Sequence, residues 1–333
     1  MNLKSKEMEG VSTARMLLNS ILANKDLWGE FDYESLELLI NHVNSGTLKI
    51  TPIISYSSQV FLLSFGKDTQ KFVVKIRTIS DVMRLKMEVL VFKILSKQIT
   101  VPEIILYGTS CGYEVIIYRY LDGTNNHNDS LNESQIYSIW KLILVIQNTL
   151  FGSHDSLGLH IYNSQNYAHE VHRYTIKYIG REIPLNSLEM IDEQLNSLSF
   201  SDSITVFSDR GPVNWIVGTS NIVPIDFDLL LLEPRLADFI QFIDHHELHT
   251  VYSRDSLISK CLSFLSSNGI YFTKEDFHWH ALYRNLTQGA IFYKVNKEIS
   301  LLHYKKALCS SNVLNEKLLN KQIKKILNEV AWI

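Results

Sequence analysis

Val206-Phe207-Ser208-Asp209-Arg210-Gly211-Pro212-Val213-Asn214-Trp215-Ile216-Val217, with Val223-Pro224-Ile225-Asp226-Phe227-Asp228 behind it, is the stretch that decides the fold. An aspartate and an asparagine five residues apart lie between two apolar runs, and Asp226 follows twelve residues after Asn214. Short apolar runs bounded by Gly, Pro and Asn read as strands. Two strands joined by a turn place Asp209, Asn214 and Asp226 at one end of a hairpin. Two carboxylates and an amide oxygen gathered there suit a hard cation such as Mg²⁺, which prefers oxygen ligands. The five-residue spacing alone is equally that of a plain turn, so the weight falls on what precedes it.

Upstream, Ile53 to Leu63 reads as strand, small-residue turn and strand, with Ser57 and Ser58 in the turn. Gly66-Lys67-Asp68 marks a second turn, and Lys71 to Arg77 is a further β-rich run. Asp81 to Lys97 carries Val82, Leu85, Val89, Phe92 and Leu95 at helical spacing, and two short strands follow at Ile104–Tyr107 and Glu114–Tyr118. The order is β-β-β-α-β-β. Lys75 is a lone cation among apolar strand residues, and Glu88 lies on the helix that follows. Taken singly, each is an ordinary strand lysine or helix-face charge. A strand lysine thirteen residues before a helical glutamate is also what a Lys–Glu pair holding the α- and β-phosphates of a nucleotide requires.

On either side the texture is helical. Residues 12–24 and 33–43 show amphipathic spacing, with Asp32 placed to cap the second helix and Glu34 in its first turn. After Gly123, Thr124 to Asn132 reads as a loop. Beyond it the chain is mainly helical, apart from a β-rich insert between Ile204 and Leu232. The predicted architecture is α+β and two-lobed: a helical extension at 1–47, a β-rich N-lobe at 48–121 and a larger helical C-lobe at 122–333.

Composition narrows the function. Of 333 residues, 46% are hydrophobic and 20% charged, with a net charge of -3, so no basic excess points to nucleic acid or an anionic membrane. The longest apolar stretch, Ile139 to Phe151, is interrupted by Lys141, Gln147 and Asn148 and is too short to span a bilayer. The first residues lack a signal-peptide pattern, and a cytoplasmic protein is expected. Cys111, Cys261 and Cys309 are odd in number and far apart, which predicts three buried or part-buried thiols and no disulfide framework.

In this order the pieces resemble the aminoglycoside phosphotransferase and choline kinase group, which shares the protein-kinase-like fold. The resemblance runs through S-Y-S-S-Q-V-F at 55–61, F-V-V-K-I at 72–76, E-V-L-V-F-K-I-L at 88–95, V-P-E-I-I-L-Y-G at 101–108 and E-V-I-I-Y-R-Y-L-D-G at 114–123. It continues through F-S-D-R-G-P-V-N-W-I-V at 207–217, I-D-F-D at 225–228 and E-P-R-L-A-D-F at 233–239. The resemblance implies ATP (or GTP) and Mg²⁺ as cofactors, Asp209 as catalytic base, and Asn214 and Asp226 as metal ligands. It makes Lys75, paired with Glu88, a contact to the phosphates. It puts Ser57 and Ser58 in the turn over the phosphates, Arg119, Tyr120 and Leu121 at the purine-binding hinge, and Asp238 in a bracing role. The chain departs from the pattern in three ways. Phe207-Ser208 stand where the group has His-Gly, the phosphate turn lacks glycine, and Ile146-Gln147-Asn148-Thr149-Leu150 replaces a helix end in Leu-His.

The implied reaction moves a γ-phosphoryl group to a hydroxyl of a small molecule, in a monomer or homodimer. Asp244-His245-His246-Glu247 and Glu275-Asp276-Phe277-His278-Trp279-His280 combine acids with aromatics, as an amine-bearing acceptor would need, although Glu275 and Asp276 equally suit a helix start after Thr273. A metal site from His245, His246 and His249 fits Mg²⁺ poorly, because Mg²⁺ disfavours imidazole. The competing reading is a nucleotide-binding relative without turnover, acting as a scaffold or regulator. A protein kinase is disfavoured by the absence of G-x-G-x-x-G and A-P-E-like segments.

Overall fold

The computed structural model describes residues 3–23, 33–53, 58–65, 70–79, 84–125, 130–159, 166–199, 204–219, 221–227, 229–248 and 250–331. The chain divides into two compact units, Met1–Gly123 with Val223–Leu229, and Thr124–Ile222 with Leu230–Ile333.

The first unit contains α1 (Leu3–Ala23), α2 (Tyr33–Asn44), β1 (Leu48–Ile53), β2 (Gln59–Phe65), β3 (Lys71–Thr78), α3 (Arg84–Leu95), β4 (Ile104–Ser110) and β5 (Tyr113–Arg119). The strands form an antiparallel sheet in the order β1-β2-β3-β5-β4. Side chains alternate across a strand, and β3 shows the consequence. Phe72, Val74 and Ile76 join Phe61, Leu63 and Phe65 of β2 in one core with Ala14, Leu17, Leu18 and Ile21 of α1 and Leu36 and Leu39 of α2. Lys75 is therefore turned to the opposite face, where α3 packs. Helices α1 and α2 share the sheet's own core. The β4–β5 hairpin turns at Cys111-Gly112, whose φ values of 50° and 81° are those of a tight primed turn.

The second unit begins with β6 (Thr124–Asn125) and α4 (Glu133–Phe151). Next come α5 (Tyr167–Tyr174), which runs into a π turn at Thr175–Ile179, then α6 (Glu189–Ser199) and β7 (Ile204–Phe207). Strands β8 (Trp215–Val217), β9 (Ile222–Pro224, whose last two residues are counted in the first unit) and β10 (Leu231–Pro234) follow, and α7 (Leu236–Asp244), α8 (Arg254–Ser267), α9 (Lys274–Phe292), α10 (Lys297–Val313) and α11 (Lys317–Ala331) complete the chain. A core of Tyr167, Val171, Leu188, Ile191, Leu195, Leu282, Leu286, Tyr304, Ile323 and Ile326 joins α5, α6, α9, α10 and α11.

The expected hairpin is present: β8 and β9 are neighbours in a sheet ordered β6-β8-β9, their turn closed by Gly218 N–H donating to Asn221 O at 2.8 Å. The Gly211-Pro212 break and the 3₁₀ turn Pro212–Asn214 separate β7 from β8, and β7 pairs instead with β10. One expectation is revised. Of the three free thiols only Cys261 is buried; Cys111 and Cys309 are exposed. Among the described residues, no helix is long and apolar enough to cross a membrane. Asp32, Ser57, Gly66-Lys67-Asp68, Asp228 and His249 lie outside the described residues.

Candidate active site

In the first unit, Lys75, Glu88 and Asp226 come together. Lys75 Nζ donates to Glu88 Oε2 at 2.8 Å and to Asp226 Oδ1 at 2.6 Å. The lysine and glutamate side chains are 6% and 2% exposed, so an ammonium on a strand and a carboxylate on a helix survive burial only as a pair. The Asp226 side chain is 31% exposed and remains accessible. Its φ of 62° is in the left-handed region, which short polar residues tolerate better than most. Phe227 anchors the same turn, fully buried and edge-on to Phe92 of α3, which in turn meets Tyr118 of β5 edge-on.

Glu114 is a contributor that the sequence reading missed. It is fully buried on β5 and accepts from the backbone N–H groups of Lys86 (3.1 Å) and Leu85 (3.4 Å), and from Tyr107 Oη (3.0 Å). A carboxylate there satisfies orphan donors at the positive end of α3 and fixes the helix that carries Glu88. Next to Tyr107 it also works with burial, which is the larger cause, to push that phenol's pKa upward. The only trace in the sequence was a lone acid inside an apolar strand.

At the end of β5, Arg119 and Tyr120 donate their backbone N–H groups to Glu103 O and Lys71 O, each at 2.9 Å. The Arg119 side chain pairs with Glu103 at 2.5 Å and reaches Ser35 Oγ at 3.2 Å. Leu121 follows, part-buried. Ser58 Oγ is buried and has no hydrogen-bond partner among the described residues.

In the second unit, β7 ends where the loop bearing Asp209 begins. Asp209 has φ 54°, a second left-handed aspartate. Asn214 Nδ2 donates to Asp209 O at 2.5 Å, leaving the amide oxygen as its remaining ligand atom. Asp238 is fully buried and accepts from the N–H groups of Ser208 and Arg210, both at 3.1 Å, so one carboxylate oxygen grips both sides of Asp209. Burial raises the pKa of Asp238, against the lowering effects of Arg210, the two backbone bonds and Gln147. Gln147 Nε2 reaches Asp238 Oδ2 (3.2 Å) and Arg235 O (3.0 Å), which explains the Gln-containing end of α4. Arg210 is fully buried, curls back to Ser208 O and lies 5.9 Å from the Trp215 ring centroid.

Two of the acids expected in an acceptor pocket, Asp244 and Asp276, have other tasks. Asp244 is bound by both nitrogens of the Arg254 fork (2.6 and 2.8 Å) and by Asn285 (2.6 Å). Asp276 forms a capping box with Thr273, and Glu275 occupies the same first helical turn. His278 and His280 are buried. His245, His246 and Glu247 have one ligand atom each within 4.8 Å of the others.

The second unit also contains a buried charged cluster that the motif reading did not single out. Glu233 is 3% exposed and lies 3.6 Å from Arg284 and 3.8 Å from His280. Burial raises the pKa of Glu233 to about 6, with the Arg284 charge opposing.

Comparison with known proteins follows the same outline. Residues 49–252 match the model of the phosphotransferase enzyme family. No curated protein matches the chain. Among solved structures, a microcompartment-associated aminopropanol kinase is similar over 86% of this chain and 99% of its own (12% identity, TM-score 0.60). A putative aminoglycoside phosphotransferase from Ralstonia eutropha JMP134 is similar over 89% and 99% (12%, 0.54). Choline kinase LicA from Streptococcus pneumoniae is similar over 84% and 99% (13%, 0.52). The fold is that of these protein-kinase-like enzymes, and the chain belongs to the phosphotransferase enzyme family.

Proposed function

We propose that this protein is a small-molecule kinase that moves the γ-phosphoryl group of ATP to a hydroxyl of an amine-bearing acceptor, with Asp209 as the base. The observation that carries the reading is the three-way contact of Lys75 with Glu88 and Asp226. A buried lysine held by a helical glutamate and a partly open aspartate fits a phosphate-binding cation beside a metal-binding carboxylate. As ligands for Mg²⁺ we assign Asp226, by its carboxylate, and Asn214, by the amide oxygen left when its Nδ2 is occupied, both of them hard oxygen donors. Mg²⁺ held by such oxygens would neutralise charge on the phosphates.

This chain's own residues do the remaining work. Lys75 exchanges Asp226 for phosphate oxygens while Glu88 keeps it in place. Leu121 supplies the hinge N–H, since those of Arg119 and Tyr120 are already engaged. Ser58 contributes its unpartnered hydroxyl at the phosphate turn. Asp209, pinned on both sides by Asp238, orients the acceptor hydroxyl and takes its proton. The names of the aminopropanol kinase and choline kinase support an amino-alcohol acceptor.

The test is conversion of ATP to ADP with Mg²⁺, with and without 1-amino-2-propanol, choline or an aminoglycoside. Acceptor-dependent turnover is expected, and Asp209→Asn should lower it by roughly 10³-fold or more. An Asp209→Asn enzyme with full activity would remove the base from this scheme.

A further inference from the structure

Arg284 of α9 lies behind the Asp209 loop and outside residues 49–252, the part of the chain that matches the family model. Its side chain is 11% exposed. The guanidinium carbon is 4.0 Å from the centroid of the Phe207 ring, the last residue of β7. Its Nη2 is 3.6 Å from Glu233 Oε1 on β10. Strands β7 and β10 pair with Leu231 opposite Phe207 and Glu233 opposite Thr205. The planar cation therefore spans this two-stranded ribbon, stacked on one strand and charge-paired with the other. His280, one turn earlier on α9, meets the other oxygen of Glu233 at 3.8 Å. Burial works against the charge of Arg284, but Glu233, Tyr283, Asp209 and Asp238 outweigh it and keep its pKa raised.

Two features suggest more than packing. Arg284 Nε and Nη2 are buried without a hydrogen-bond partner among the described residues, a costly arrangement that an apolar side chain would avoid. The residue it covers is Phe207, whose side chain cannot hydrogen-bond to hold the loop, and Asp209 lies two positions later.

We propose that Arg284 is a positioning residue: it clamps Phe207 to Glu233, fixes the strand end from which the Asp209 loop departs, and sets a positive charge behind the base. The proposal rests on Asp209 being that base. A guanidinium is suited to the task because it is flat enough to stack on a ring while its edge faces a carboxylate.

The test compares Arg284→Met, Arg284→Lys, the double variant Glu233→Gln/Arg284→Met and Asp209→Asn. Each is assayed for ATP hydrolysis with water as acceptor and for melting temperature. Arg284→Met should lower kcat by roughly 10- to 100-fold, the scale of a misplaced catalytic group, and leave KM for ATP within about twofold. Arg284→Lys should recover part of kcat, because charge is restored without the planar stack. Should Arg284→Met fail to fold, the double variant, which has no unpaired buried carboxylate, should show the same kcat loss. Normal kcat in a folded Arg284→Met or double variant, or a lysine variant no better than methionine, would overturn the proposal while Asp209→Asn remained inactive. An active Asp209→Asn would instead bring down the base assignment, and the positioning role with it.

Discussion

Gly211 offers a sharp test of how the Asp209 loop is held. Its backbone, at φ −60° and ψ 161°, is open to any L-residue, so the glycine is not needed for conformational freedom. It is needed for space: a Cβ at this position would lie 2.8 Å from His245 Cδ2, 3.2 Å from Nε2 and 3.5 Å from Cγ. The ring cannot swing aside freely. His245 Nδ1 accepts from Glu247 N–H at 3.2 Å, and the ring stacks on His246 at 4.4 Å and 20°. Relief requires the loop to move by several tenths of an ångström. Gly211 O accepts from Asn214 N–H at 3.0 Å, so the movement reaches Asn214 and, through its amide, Asp209. Overpacking of this kind costs about 1–3 kcal/mol, or roughly 2–12 °C in melting temperature if the second unit melts by itself. For Gly211→Ala we expect that loss together with a kcat reduced by about 10-fold or more. Adding His245→Ala should restore most of both. Scanning calorimetry and steady-state ATP turnover measure the two effects. A single variant matching the parent, or a double variant no better than the single, would refute the steric argument.

Three other predictions concern stability. His303 is held neutral, its pKa lowered to about 3 by burial, with the charge of Lys306 adding to the effect. The unfolded chain takes up a proton below its ordinary value of 6.5 and the folded chain does not, so stability present above pH 6.5 is lost as pH falls toward 3; at pH 5 the loss is about 2 kcal/mol. A urea series from pH 8 to pH 5 should show this slope, and His303→Gln should flatten it. Gly289→Ala places a Cβ 2.8–3.1 Å from three Tyr304 ring atoms. It should destabilise the α9–α10 contact by about 1–3 kcal/mol, visible as a lower urea midpoint; an unchanged midpoint would mean that the ring yields. Leu18→Ala, in the fully buried face of α1, should cost about 2–5 kcal/mol by equilibrium unfolding if α1 is part of the sheet's core. A cost below about 1 kcal/mol would show that it is not.

Much of the first unit was legible from the chain because it depends on local periodicity. In F-V-V-K-I the two-residue repeat already separates Lys75 from Val74 and Ile76, and the 3.6-residue repeat of α3 places Glu88 on the strand-facing side. Such patterns reflect constraints between near neighbours, and they survive into the fold. The D-x-x-x-x-N spacing likewise anticipated the Asp209 loop, since Pro212 and Asn214 impose their turn locally. The β8–β9 hairpin is local in the same way, its turn closed by Gly218 N–H on Asn221 O. Partners distant in the chain were not legible, and β7 took β10.

Long-range polar partners were settled by folding alone. Asp226 meets Lys75 across 151 positions, Gln147 meets Asp238 across 91, and Glu114 caps a helix about 29 residues earlier. Arg284 reaches Phe207 from a helix separated from β7 along the chain by β8, β9, β10, α7 and α8. A charged residue bound for burial is written with the same letter as one bound for solvent. Only when the core closes and withdraws water does an unpaired charge become costly, and that cost selects its partner. The one-dimensional pattern therefore marked the candidate groups for phosphoryl-transfer chemistry, and the three-dimensional packing decided which other groups hold them still.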